Sequence, residues 1–585
     1  MSAFIDISTV GASSANPLRS ASIRSAARKP GLYSSSSLPR LKVLFKAKLK
    51  SNPIQALNYV HSVKDSEDGW QAALPLFVRT SRASETVRMF CLEILKDAVD
   101  RRSQHPEDEP LRYIQQLLLE YVQATYGPGS STSDSSFIQN KLCQVITLLF
   151  IATYTTTWQT FFDDLMALGK SSPRGTWDNL SGVEFFMRVS LNVHDEVADV
   201  LIPRTPQEGQ RNILIKDSVR NRDVRKLVTA WQEIMEEWKG KNNQVVEMGL
   251  GTIGRWVSWI DISLVVNELM LNQLFQFMDF GGKVRDAAIG ALTEIVGKKM
   301  KGPDKMDLIT FLNVGQIAEQ IAHSAALQDQ KADDYDTDLA EGTAKLVNVA
   351  AMDIVMILSK VCIHISPCFF FLGFTDTLQE EVDENNRLRA ENLLQMFFPL
   401  LLRFFSDEYD DVSSAVFPVT TELLSLLRKE KKVSGGLAST HQTMLQPILN
   451  AIVMKTKYDE DTNWGDEDEQ SEEAEFQHLR RQLKTMQDAV SAIDECLYID
   501  LMSQLVEGIF DRMAQQGGNS SVDWRDVDLA LYEMSSFGEM AMRYGGLFAK
   551  GQPSGLPAER LVNMLGKMMA SSKITSPHLR MIFTF

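Results

Sequence analysis

The chain has 585 residues, of which 44% are hydrophobic and 23% charged, and a net charge of −16. That length exceeds what one hydrophobic core usually supports, so the chain forms either several domains or one extended array. The acid excess excludes a protein that coats nucleic acid through an overall basic surface and confines any RNA contact to a local basic patch.

Leu, Met, Glu, Lys and Ala outweigh strand-forming residues through most of the sequence, which predicts an all-α fold. Residues 1–52 read as an atypical, disordered leader. The first fifty carry nine Lys or Arg against the single acid Asp6, a composition that also resembles a mitochondrial transit peptide. After Pro53, apolar helical patterns alternate with short breaks at Gly, Pro, Asn and Ser.

Several of these helices share one layout. Thr86-Val87-Arg88 precedes Cys91-Leu92 and Leu95; Lys283-Val284-Arg285 precedes Ala287-Ala288 and Leu292; Asp411-Val412 precedes Ala415-Val416 and Leu423-Leu424; and Asp523 to Val527 precede Ala530-Leu531 and Met534. A Val opens each helix, small residues or Cys follow a turn later where a neighbouring helix approaches, and Leu or Ile continue the face. This is the pattern of a HEAT-repeat α-solenoid, a superhelical array of antiparallel helix pairs in which each pair buries its apolar face only against its neighbours. Repeats are expected over residues 53–358, 376–457 and 476–572.

Two segments interrupt the rhythm. Residues 359–375, SKVCIHISPCFFFLGFT, have neither helical amphipathicity nor surface polarity; residues 458–475 hold ten carboxylates and no base, which predicts a solvated acidic loop. The strongly apolar stretch 361–374 is too short to span a bilayer and contains His364 and Pro367, so no membrane insertion is expected.

The motifs of enzyme chemistry do not occur: there is no phosphate-binding glycine loop, H-E-x-x-H, G-x-S-x-G or C-x-x-C. Cys91, Cys143, Cys362, Cys368 and Cys496 have neither zinc-ligand nor redox spacing, which fits a reducing compartment. His194-Asp195-Glu196 reads as part of a packed helix, because adjacent helical residues point in different directions. In GLGTIG, the glycines Gly249, Gly251 and Gly254 follow no strand and read as points of close helix packing. The reading is a non-enzyme without cofactors.

The segment VEMGLGTIGRWVSWIDISLVVNELMLNQLF, followed by GGKVRDAAIGALTEIVGKKMKGPDKMDLITFLN, resembles the exportin-t family of the importin-β superfamily. The resemblance is nearly continuous over residues 57–572, through VHDEVADVLIPRTPQE, FFPLLLRFFSDEYDDVSSAVFP and WGDEDEQSEEAEFQHLRRQLK. It implies a receptor that binds tRNA together with Ran-GTP in the nucleus, meets the FG nucleoporins of the pore, shuttles between nucleus and cytoplasm, and releases its cargo after GTP hydrolysis. The sequence departs from the family in three places. The usual first helix is missing or replaced before Pro53. Residues 359–375 read as a retained intron, with Phe369-Phe370-Phe371 encoded by pyrimidine-rich codons. The end at residues 573–585 diverges, at about half of the family's length.

Bases cluster at Lys216, Arg220, Arg222, Arg225 and Lys226, at Lys298, Lys299, Lys301 and Lys305, and at Arg428, Lys429, Lys431 and Lys432. They are the candidate tRNA-phosphate contacts, since folded RNA is read largely through backbone and shape. The competing reading makes them cations that complement helix C-termini. The carboxylates Asp466, Glu467, Asp468, Glu469, Glu472 and Glu473 repel phosphate and are candidates for a basic surface of Ran. Two alternatives stay open: a karyopherin for another cargo, protein or hairpin RNA, and a HEAT-repeat scaffold.

Overall fold

The computed structural model describes residues 61–103, 109–131, 133–172, 175–364, 377–459, 470–515, 522–543 and 555–571, and among them every extended element is a helix. The expected leader and the divergent end lie outside these residues, as do 365–376 and 460–469 of the two interrupting segments. The chain divides into two compact units, Met1–Ile295 and Val296–Phe585.

In the first unit the helices are α1 (Gly69–Val78), α2 (Glu85–Arg102), α3 (Glu109–Tyr126), α4 (Ser136–Thr153), α5 (Phe161–Met166), α6 (Leu180–Val197), α7 (Pro206–Arg222), α8 (Val224–Trp238), α9 (Asn243–Val257) and α10 (Glu268–Met278). Helix α11 (Gly282–Gly297) crosses the unit boundary, so that Val296 and Gly297 at its end belong to the second unit. Short connections reverse the chain, and α2, α4, α6 and α9 pack side by side in sequence as one row. Neighbour-on-neighbour packing of this kind is what a repeat array requires.

Local sequence sets the helix starts. Thr205 and Glu208 form a reciprocal capping box around Pro206 at the start of α7, and the side chains of Asn242 and Asn267 cap α9 and α10. The shared layout supplies the core: Cys91, Leu92, Leu95, Val284, Ala288, Leu292 and Ile295 are all buried.

The second unit contains α12 (Gly302–Phe311), α13 (Val314–Ala322), α14 (Thr337–His364), α15 (Thr377–Phe405), α16 (Asp410–Ser414), α17 (Phe417–Ser434), α18 (Ser439–Lys455), α19 (Gln470–Ile493), α20 (Glu495–Gln515), α21 (Trp524–Arg543) and α22 (Leu556–Ser571). Helix α14 packs on α15 and α17, α17 on α19, and α20 on both α21 and α22.

Three sequence expectations change here. The helix expected from Asp411 through Leu424 is two, α16 and α17, because Pro418 lacks an N–H and its ring would clash with the carbonyl of Ser414 in a continuous helix. Helix α14 continues past Ser359 to His364, into the segment expected to be foreign. Helix α19 begins at Gln470 rather than after Glu475, so Glu472, Glu473 and Glu475 lie in its first turns, where carboxylates complement the positive helix end.

Buried carboxylates tie neighbouring helices. Asp134, its side chain fully buried, pairs with Arg88 at 2.9 Å and Arg82 at 3.1 Å and accepts the hydroxyl of Tyr126 at 2.8 Å. Asp407 accepts the hydroxyl of Tyr335 at 2.5 Å and pairs with Arg403 at 2.8 Å. Such a charge is tolerated inside because every oxygen finds a donor. Ser136–Thr153 and Thr337–Lys360 are long and apolar enough to cross a membrane, yet 61% and 56% of those stretches are buried in the protein core.

Candidate nucleic-acid interface

The first basic cluster lies where α7 turns into α8. Arg220 donates from Nε to the carbonyl of Trp259 at 2.8 Å, just beyond the end of α9, and pairs with Asp217 at 2.7 Å. Arg222 donates to the carbonyl of Tyr154 at 3.3 Å, at the end of α4, and lies 4.4 Å from the centre of its ring. The cluster therefore borders the C-terminal ends of α4 and α9, where free carbonyls and the helix dipole attract cations.

At its centre is Asp223, whose carboxylate is fully buried. It accepts the Tyr154 hydroxyl, pairs with Arg222 at 3.4 Å, and pairs with Lys226 at 2.7 Å, which also reaches Asp163 at 2.6 Å. Burial opposes the charge on Lys226, but hydrogen bonds to Asp163 and Asp223 prevail and raise its pKa. Lys216 is half-buried, and desolvation together with the nearby Arg220 lowers its pKa. Arg225 is exposed, and its side chain has no hydrogen bond or ion pair among the described residues.

The other two clusters repeat the theme in the second unit. Lys305 is only 3% exposed; its Nζ donates to the carbonyls of Val296 and, at 2.6 Å, Lys298, and pairs with Asp353 of α14 at 2.9 Å. It holds the end of α11 and is absent from the surface, contrary to its expected role as a phosphate contact. Lys429 donates to Ser359 of α14 at 3.0 Å, and Lys431 to the carbonyl of Ile493, the last residue of α19. Gly302, beside Lys301, packs against Ile357, so both clusters flank the C-terminal part of α14. Lys299, Lys301, Arg428 and Lys432 are exposed, and their side chains have no hydrogen bond or ion pair among the described residues.

The geometry thus divides the candidates. Arg220, Arg222, Lys226, Lys305, Lys429 and Lys431 have partners within the fold, while the side chains of Lys216, Arg225, Lys299, Lys301, Arg428 and Lys432 have no hydrogen bond or ion pair among the described residues. Asp223 and Tyr154, which set this division in the first unit, were not singled out from sequence. An Asp between Arg222 and Lys226 at a helix junction was the available signal.

Of the acidic candidates, Asp466, Glu467, Asp468 and Glu469 lie outside the described residues, as does the side chain of Glu472. Glu473 accepts the hydroxyl of Tyr458 at 3.1 Å and the amide of Gln477 at 2.8 Å, which pins the start of the acidic segment to α19. His194 is 9% exposed and accepts the indole N–H of Trp259 at 3.2 Å, and burial lowers its pKa; it is a neutral packed side chain.

Residues 384–585 match the Exportin-T family, and residues 135–292 match the family of Exportin 1-like protein. Exportin-T of Aspergillus niger is 43% identical to the chain over 528 residues, 88% of the chain and 49% of that protein. Exportin-T of Botryotinia fuckeliana is 44% identical over 530 residues, 90% and 49% respectively. The chain spans about half the length of the curated relatives it matches. A solved structure of Kap95p with RanGDP shows a distant likeness at 12% identity and a TM-score of 0.42, over 91% of this chain and 62% of that one.

Proposed function

The chain belongs to the exportin-T family, and on that premise we propose that it is part of a nuclear export receptor that binds tRNA cooperatively with Ran-GTP and releases it in the cytoplasm. The observation that carries this reading is the 43% identity to an exportin-T across nine-tenths of the chain. Lys216, Arg225, Lys299, Lys301, Arg428 and Lys432 supply phosphate contacts, and Lys298 stands beside them at the end of α11. The acidic segment 458–475 is the partner for the basic surface of Ran, since its charge repels RNA. FG nucleoporins are the partners during passage, the receptor shuttles between nucleus and cytoplasm, and no reaction is catalysed.

A repeat array contacts itself only between neighbours, so small changes at each pair add up to a change of curvature, through which one ligand alters the affinity for the other. The test is tRNA binding with and without Ran-GTP, by this chain alone and joined to the half of a relative that it does not span. The joined protein should bind tRNA tightly only with Ran-GTP, and this chain weakly. Equal binding with and without Ran-GTP would remove the proposed mechanism.

A further inference from the structure

Away from the basic clusters, the interior of the second unit holds an acid with no cation in contact among the described residues. Glu533 of α21 is fully buried, and it meets Gln487 of α19, which is 1% exposed. The Gln487 amide donates from Nε2 to Glu533 Oε2. The remaining oxygens, Glu533 Oε1 and Gln487 Oε1, are both buried without a hydrogen-bond partner among the described residues. Reversing the amide would not help, because its oxygen would then face Oε2. Two buried acceptors with no donor are costly, whereas one added proton gives the pair a donor.

We propose that Glu533 is a protonated carboxylic acid in the folded chain at mildly acidic pH and that loss of its proton towards neutrality loosens α19 from α21, which makes this layer a proton-sensitive joint. The neighbouring charges do not replace the proton. From α19, Arg480 is held by Asp528 at 2.5 Å and by the carbonyl of Thr456 at 3.0 Å, while Lys484 lies 3.1 Å from Glu539 and 3.6 Å from Asp488. On α21 itself, Tyr532 donates to the carbonyl of Arg480 at 3.3 Å.

Of the charges of α20, Asp500 pairs with Arg560, Glu507 and Asp511 with Lys567, and Arg512 with Asp526, while Glu495 lies in its first turn. Towards the pair, α20 presents the sulfur of Met502, 3.4 Å from Gln487 Nε2. Burial accordingly prevails over the hydrogen bond from Gln487 and the fields of Arg480 and Lys484, and pushes the Glu533 carboxyl up to about 7. The folded value lies above the ordinary one, so the stabilisation is complete below the ordinary carboxylate range and is lost as pH rises through about 7.

The joint bears on function through α19, whose first turns carry the end of the acidic segment and whose Arg480 lies over the Tyr458 ring at 4.5 Å. The inference rests on packing and is independent of the transport reading.

Hydrogen exchange of α19 and α21 in the full chain, corrected for intrinsic rates between about pH 5 and about pH 8, tests it. In the wild type, local opening should increase up to about tenfold per pH unit until about pH 7 and then level off. Glu533→Gln, whose neutral amide both donates to and accepts from Gln487, should remove that slope. Equal slopes in both proteins, or no slope in the wild type, would overturn the proposal. Should the variant not fold, isotope-edited infrared spectra of the wild type decide: a protonated carboxyl band that titrates near neutrality supports it, and a buried carboxylate already ionised at about pH 5 sinks it.

Discussion

Arg222 lies over the ring of Tyr154, its guanidinium 4.4 Å from the ring centre, and both side chains converge on the buried carboxylate of Asp223. A residue that counts as a free base in the sequence is therefore tied to a buried network although it is exposed, and its neighbour Arg225 has no hydrogen bond or ion pair among the described residues.

Removing the centre of that network should destabilise the first unit. Asp223→Ala leaves the Tyr154 hydroxyl, Arg222 and Lys226 without their common acceptor, at a cost of about 1–3 kcal/mol. Urea unfolding of the variant against the wild type measures it, and a loss below about 1 kcal/mol would mean that the network contributes little.

Arg225 and Arg222 should separate in RNA binding. Arg225→Glu should lower tRNA affinity and reduce the slope of log affinity against log salt by somewhat under one unit, with stability unchanged within about 0.5 kcal/mol. Arg222→Glu should lower stability first. Identical salt slopes for Arg225→Glu and the wild type would take Arg225 out of the interface.

A similar contrast holds for Lys305 and Lys301. Lys305→Met leaves the carbonyls of Val296 and Lys298 and the carboxylate of Asp353 without their donor, for a loss of about 1–3 kcal/mol. Its salt dependence of tRNA binding should stay that of the wild type. Lys301→Glu should do the reverse, and thermal unfolding paired with filter binding reads both effects.

Two glycines of GLGTIG should respond oppositely to alanine. A Cβ at Gly249 would fall 2.5 Å from Cγ of Met235, while one at Gly251 meets nothing within 4 Å. Gly249→Ala should therefore cost about 1–3 kcal/mol through overpacking, and Gly251→Ala should stabilise by up to about 1 kcal/mol through helix propensity. Denaturation midpoints of the two variants give the comparison directly.

His194 should make the first unit acid-sensitive. Its folded pKa is lowered by burial, so the unfolded chain binds the proton more readily and stability is lost as pH falls below about 6.5. Protonation also removes the acceptor for the Trp259 indole N–H. His194→Gln retains an acceptor without a titration, so the decline in its urea midpoint between about pH 7 and about pH 5 should be shallower than that of the wild type.

Much of the architecture was legible because it depends on local rules. The recurring Val, small-residue and Leu layout placed buried residues such as Leu92, Ala288 and Val416 correctly, and the glycines Gly249 and Gly254 do mark close helix approaches. The start of α19 was misread because self-repulsion in a carboxylate run was weighed without the helix dipole that favours acids at an N-terminus.

The sequence by itself determined the helical class, the repeat organisation and the positions at which bases cluster, since periodicity, capping and composition act over a few residues. Only the tertiary structure decided which of those bases are free. Whether Lys305 meets solvent or the carbonyl of Val296, and whether Arg222 or Arg225 finds a partner, depends on groups brought from elsewhere in the chain, such as Asp353 and Tyr154. The same holds for Glu533, an ordinary helical glutamate in the sequence, whose proton affinity is set by burial and by the amide of Gln487 forty-six positions away.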